Sequence, residues 1–295
     1  MTPRPVVCFG EALWDVMPEK RLAGGAPLNV ALRLADLGVD TILLSRVGDD
    51  VPGHELLSLL NDSALETAHV QIDAQQPTGV VHVDVSDPGA AKYEIAAPVA
   101  WDFIDADEFI RACDEQPGPL VFGSLAARNA VSRSSLLRLL ERSPLAIFDI
   151  NLRPPFDSRA TLEQLLERTH WLKLNESELD TVAGWLGATG SREQLTASIC
   201  RHYGAAAACV TLGASGALMY SNGEIFSQPG FTVPVVDTIG CGDAFLAGWI
   251  AQMLADEPPQ ETLIHACAMG ALAATAAGAN APISAAMIDT LTGGS

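Results

Sequence analysis

Short β-branched or aromatic runs alternate with helical patterns along most of this chain, and that rhythm restricts the possible architecture most. Candidate strands are Val6–Phe9, Thr41–Val47, Leu120–Phe122, Leu145–Ile150, Trp171–Leu174 and Ala207–Leu212. Helical patterns lie between them. Pro27–Leu37 places Leu28, Ala31, Leu34 and Leu37 on one face and stops at Gly38. Ser132–Arg142 carries Leu136, Leu139 and Leu140, Asn175–Gly184 opens on a polar cap, and Ser191–Tyr203 opens with capping-box spacing. Such alternation predicts an α/β protein with a doubly wound, mostly parallel sheet and helices on both faces. One region departs from the rhythm. Gly79–Ala97 alternates Val81, Val83 and Val85 with His82, Asp84 and Ser86, then turns at Asp87-Pro88-Gly89. That predicts a half-exposed hairpin, either a structural edge or a lid.

With 295 residues, no tandem repeat and no long linker, the chain is expected to be a single domain with an insertion. Its formal charge of −19, from 36 acidic and 17 basic residues, argues against nucleic-acid or anionic-membrane partners. Thr262–Ile288 holds no Asp, Glu, Lys or Arg. The stretch is Ala/Gly-rich and interrupted by Asn280 and Pro282, so a buried, closely packed helix is expected rather than a membrane span. Six cysteines (Cys8, Cys113, Cys200, Cys209, Cys241, Cys267) form no C-x-x-C pair, which reads as reduced thiols in a cytoplasmic protein.

The polar residues fall at the strand ends: Gly10-Glu11, Gly123-Ser124, Asn151-Leu152-Arg153, Asn175-Glu176-Ser177-Glu178 and Thr211-Leu212-Gly213. Ligands of doubly wound sheets bind beyond the carboxyl ends of strands, although turns are rich in Gly and Asn in any case. The sharpest feature is Asp237-Thr238-Ile239-Gly240-Cys241-Gly242-Asp243. Here an expected strand, Val233–Val236, runs into a Gly-x-Gly turn that opens a helix. Glycines there let backbone N–H groups converge, and the helix terminus adds partial positive charge, making an anion hole. Asp243 could then take a proton from a hydroxyl while the hole stabilises a phosphoryl group in transfer, or it could simply cap the first turn. No P-loop, dinucleotide fingerprint or nucleophile elbow is present: Phe245 occupies the place of the third fingerprint glycine.

Taken together, these motifs resemble those of the ribokinase (PfkB-type) carbohydrate kinases. Asp237–Asp243 is similar to the family's C-terminal signature, Asp-Thr-x-Gly-Ala-Gly-Asp, and Gly24–Ala31 to its N-terminal one. Gly10-Glu11 with Asp15, Asp149–Arg153, Asn175–Glu178 and Thr211–Gly216 follow in family order, so the likeness spans nearly the whole chain. The resemblance implies a ribokinase-like fold with lid strands inserted at about 12–25 and 79–100. It further implies transfer from ATP to a sugar hydroxyl with Mg²⁺ and K⁺, and a homodimer formed through the lid. Carried over by position, Asp243 is the base, Gly240, Cys241 and Gly242 form the hole, and Arg153 points to the phosphates or the sugar. Asp15, Gly25 and Asn29, with Tyr93 from the lid, hold the sugar. Asn175 and Glu178 lie near the triphosphate and its magnesium, while Thr211, Gly213 and Gly216 border the nucleotide. Asp237, Ile239 and Gly278 face the K⁺.

Gly-Gly-Ala-Pro-x-Asn, the opening Gly-Glu-Ala-Leu-Trp-Asp and Asp-Ile-Asn-Leu-Arg are similar to the fructokinase branch, which implies D-fructose as acceptor. 2-Keto-3-deoxygluconate is the alternative sugar. A catalytically silent sugar-binding regulator and a nucleoside kinase are the alternatives of other classes. Trp14, Tyr93 and Trp101 could stack on a sugar ring or serve as packing. Cys241 stands where the family usually has Ala. It is either a small packing residue or a thiol activated at a helix N-terminus.

Overall fold

The computed structural model describes residues 4–18, 20–84, 92–112 and 117–293, without side chains for 83, 84, 92 and 93. Cys113 and the Asp87-Pro88-Gly89 turn lie outside the described residues. The chain groups into two compact units, Met1–Asp36 with Asp40–Pro144 and Leu37–Val39 with Leu145–Ser295.

The first unit runs β1 (Val6–Phe9), β2 (Leu13–Val16), β3 (Arg21–Gly24), α1 (Ala26–Asp36), β4 (Thr41–Gly48), α2 (Val51–Asn61) and β5 (Val70–Asp73). It continues with β6 (Gly79–Asp84), β7 (Lys92–Ile95), α3 (Asp107–Ala112), β8 (Leu120–Gly123) and α4 (Ala130–Leu140). The strands β8-β1-β4-β5 are parallel neighbours. Every residue of β1 and β8 is buried, which requires cover on both faces and accounts for their continuous apolar runs. The expected hairpin is the antiparallel pair β6–β7, with Val81 opposite Ile95. It belongs to a separate four-stranded sheet ordered β3-β2-β6-β7, in which β2 pairs antiparallel with β3 and parallel with β6. α4 starts two residues earlier than its apolar pattern suggests, because Asn129 caps it by accepting from the Val131 N–H.

The second unit holds β9 (Ala146–Asp149), α5 (Arg159–Leu166), β10 (Trp171–Asn175), α6 (Glu176–Trp185), α7 (Arg192–Tyr203) and β11 (Ala207–Thr211). It ends with β12 (Ala217–Ser221), β13 (Glu224–Gln228), α8 (Cys241–Leu254), α9 (Pro259–Ala273) and α10 (Ala285–Thr292). β9, β10 and β11 are parallel, and β11-β12-β13 continue antiparallel. The β12–β13 hairpin turns on Asn222 and Gly223, both at positive φ (49° and 98°), a pairing suited to the tight turns that match strand twist. Ser191 and Gln194 form the capping box expected for α7, and Gly204 ends that helix at φ +76°. The charge-free stretch forms most of α9, whose Leu263, Ala266, Ala268 and Met269 are buried. No helix among the described residues is long and apolar enough to cross a membrane.

One expected strand is absent. Val233–Val236 is irregular, and Val235 and Val236 are about two-thirds exposed (67% and 63%). Pro234 has no N–H to give a ladder, and the Val236 N–H donates instead to the Ala274 carbonyl at 2.8 Å.

Candidate active site

In the first unit the expected sugar-holding residues gather around the Gly24-Gly25 turn. A Cβ on Gly24 would lie 2.1 Å from an Asp15 carboxylate oxygen, so the carboxylate rests on bare backbone. Gly25 has φ +111°, and a Cβ there would meet the Glu11 carbonyl at 2.3 Å. Gly25 therefore demands glycine, and a side chain at Gly24 would have to displace the Asp15 carboxylate. The Asn29 N–H donates to the Gly25 carbonyl at 2.8 Å, and Asn29 is buried in the first turn of α1. Asp15, Gly25 and Asn29 thus come together although they belong to three elements. Trp14 and Trp101 are packing residues: Trp14 donates to the Pro52 carbonyl with Arg21 over its ring, and Trp101 is fully buried under Arg128. Tyr93 falls in β7, and its side chain lies outside the described residues.

In the second unit the Gly-x-Gly turn opens α8 as the sequence suggests. Gly240 sits at φ +77° as the residue before the helix, with no side-chain cap. Its Cβ would come within 2.4 Å of Ala279, so only glycine fits. Gly242 and Asp243 follow in the first turn, where N–H groups lack intrahelical acceptors. The Cys241 N–H turns back to the Thr238 carbonyl at 3.3 Å. Asp237 fastens this loop at both ends, accepting from the Ile239 N–H and from the Gly278 N–H, each at 3.0 Å. Asp237, Ile239 and Gly278 are accordingly brought together, through the two N–H groups that the Asp237 carboxylate accepts.

Asn175 and Glu178 form a capping box. Asn175 accepts from the Glu178 N–H at 2.9 Å, and Glu178 accepts from the Asn175 N–H at 2.8 Å. The other Glu178 oxygen takes the Leu152 N–H at 2.9 Å, tying the turn after β9 to α6. Burial, followed by the neighbouring Asp149, pushes the Glu178 carboxyl above its ordinary range. Thr211 is the register partner of Asn175 on the adjacent strand and donates to the Leu174 carbonyl at 3.4 Å. Gly213 and Gly216 follow at φ +57° and +99°, and a Cβ on Gly216 would meet the Gln228 carbonyl at 2.0 Å. Arg153 folds back to donate to the Leu152 carbonyl at 2.9 Å.

Sequence reasoning missed Lys173. Its ammonium donates to both oxygens of Asp149 at 2.9 and 3.1 Å, in a pair that is nearly fully buried. A Cβ on Gly242 would lie 3.3 Å from this nitrogen. The available signal was a lysine in the middle of an apolar strand, in a chain with only three lysines.

Parallel strands in each unit, a separate four-stranded sheet and a glycine-opened helix suit a carbohydrate kinase. Residues 6–286 match the model of the pfkB family carbohydrate kinases, and the chain belongs to that family. Its fold is the mostly parallel, ribokinase-like one, and the enzyme moves a phosphoryl group from ATP to a sugar. Similar proteins include a fructokinase of Klebsiella pneumoniae, 32% identical over 92% of this chain and 93% of the relative. An aminoimidazole riboside kinase of Salmonella typhimurium is 28% identical over 92% of this chain and 89% of the relative. Among solved structures, a fructokinase double mutant of Vibrio cholerae O395 with fructose, ADP and potassium ion bound is 28% identical. It superposes with a TM-score of 0.85 over 98% of each chain.

Proposed function

We propose that the acceptor is D-fructose and that Asp243 is the base that takes the proton from its reacting hydroxyl. The observation that carries this reading is the N-terminus of α8, where Gly240 stands in a conformation that favours glycine and a carboxylate lies in the first turn. The terminus favours negative charge where the γ-phosphoryl group passes. Asp243 receives the proton as the hydroxyl oxygen bonds to phosphorus and ADP leaves. Asp15, Gly25 and Asn29 hold the sugar hydroxyls. A carboxylate accepts, and a carboxamide both accepts and donates. Arg153 steadies the phosphates. Asn175 and Glu178 stand toward the triphosphate, with Thr211, Gly213 and Gly216 along the nucleotide.

The residues present fit the metals. Among the described residues no group of three or more His, Cys, Asp or Glu could cage an ion. That suits Mg²⁺, which keeps several waters and binds through phosphates with one or two protein oxygens. Asp237, with the Ile239 and Gly278 carbonyls, would hold K⁺. When bound, such ions would supply positive charge against the phosphates of ATP. Fructose is favoured because relatives such as the Klebsiella enzyme are fructokinases, and the riboside kinase relative makes a riboside the second candidate. We also propose a cytoplasmic homodimer through the lid. The edge strands β3 and β7 support the dimer, since a sheet edge can pair with a second copy, and the buried thiols of Cys8, Cys200, Cys209 and Cys267 suit a reducing compartment.

The test is ADP release with ATP, Mg²⁺ and K⁺ across fructose, 2-keto-3-deoxygluconate, ribose, tagatose, glucose, adenosine and aminoimidazole riboside. Preference for fructose is expected, lost by roughly 10³-fold or more in Asp243→Asn while ATP binding persists. Preference for another acceptor overturns the sugar assignment. Full turnover in Asp243→Asn overturns the base. Sedimentation analysis tests the dimer, with a monomer at micromolar concentration counting against it.

A further inference from the structure

Lys173 projects from the middle of β10 toward Asp149, its register partner on β9, and the two side chains are 7% and 4% exposed. A buried ion pair rarely stabilises a fold more than apolar residues of similar size would. This pair is worse placed than most for stability alone. The ammonium stands beside Gly242, in the first turn of α8, where the helix dipole is positive. The ammonium, held by both Asp149 oxygens, thus stands between the β9–β10 pair and the first turn of α8. Three carboxylates face the ammonium from three other elements: Asp149 from β9, Glu178 from α6 and Asp243 from α8. Burial alone would push the Lys173 ammonium down, but these carboxylates hold it above its ordinary value, so it stays charged.

We propose that Lys173 is a positioning residue for phosphoryl transfer, its buried ammonium joining Asp149 to the first turn of α8 and seating Gly242 and Asp243 for the reaction. It acts through those two residues rather than on the substrate. The inference rests on the reading of Asp243 and its helix terminus as the transfer site.

The experiment compares wild type, Asp243→Asn, Lys173→Met and Lys173→Met/Asp149→Leu with MgATP and the best sugar of the panel. Turnover is counted per molecule competent to bind ADP by calorimetry, so that unfolded protein does not enter the rate. Lys173→Met is expected to lower kcat at least about 100-fold, as small misplacements of reacting groups do. The sugar KM is expected to stay within about threefold. The double variant, which replaces the pair by apolar side chains, is expected to recover the melting temperature but not kcat. Recovery of kcat in the double variant to within about fivefold of wild type would make the pair merely structural and overturn the proposal. So would a Lys173→Met enzyme that keeps wild-type kcat, or one whose loss lies entirely in KM. An active Asp243→Asn enzyme would instead sink the underlying site reading.

Discussion

Cys241 is the one described cysteine that is not buried, its thiol 3.9 Å from the Asp237 carbonyl at the mouth of α8. Burial pushes Cys200 and Cys267 up to about 12 and Cys8 and Cys209 upward as well, leaving those thiols protonated and inert. Thiol reagents are therefore expected to inactivate the enzyme through Cys241, with protection by ATP plus sugar. Full activity after modification at Cys241, verified by mass spectrometry, would refute this. Glu178 carries a second prediction. Its folded carboxyl titrates above the ordinary range because of burial and then Asp149, so ionising it opposes folding. The stability it contributes is present below the unfolded pKa and is lost as pH rises through the folded one. The melting temperature of Glu178→Gln relative to wild type should accordingly be more favourable at pH 8 than at pH 5. An unchanged difference would contradict it. At this scale the sequence revealed residues that belong to runs, such as Gly240, Gly242 and Asp243. Lys173 belongs to none: its partner Asp149 is 24 positions away and becomes a neighbour only through strand pairing.

Two capping boxes of the second unit make a matched pair. The Ser191 cap of α7 lies on an exposed surface, whereas the Asn175 cap of α6 belongs to the candidate site. Ser191→Ala and Asn175→Ala should each cost about 1 kcal/mol in urea denaturation. Only Asn175→Ala should also raise the KM for ATP. Equal kinetic effects from both would place the cause in stability. Elements were legible where one local signal settles them, as continuous apolar runs did for β1, β8 and β11, or Ser-x-x-Gln for α7. The β12–β13 hairpin went unread although Asn222-Gly223 advertises it, because the flanking strands alternate weakly. Val233–Val236 has β-branched composition but a proline in its centre. There composition favoured a strand, and the missing donor prevented one.

For the whole chain, a formal charge of −19 means the compact state works against its own repulsion. Raising sodium chloride from roughly 10 to 150 mM shortens the Debye length to about 8 Å. The melting temperature should then rise by roughly 1–2 °C, equivalent to about 1 kcal/mol for a chain of this size. A fall would show that native ion pairs outweigh the repulsion. The parallel architecture was readable because βαβ alternation is a property of the entire sequence. The separate four-stranded sheet was only half readable, since β2 and β3 are four residues each and gain their meaning from β6. The Asn175–Glu178 box carries a lesson for kin that have drifted. Because that pair closes a helix whatever else it does, selection for folding alone would preserve it long after catalysis had gone. A surviving Asn-x-x-Glu is thus poor testimony that a descendant still works, and the aspartate after the glycines of α8 is the better witness.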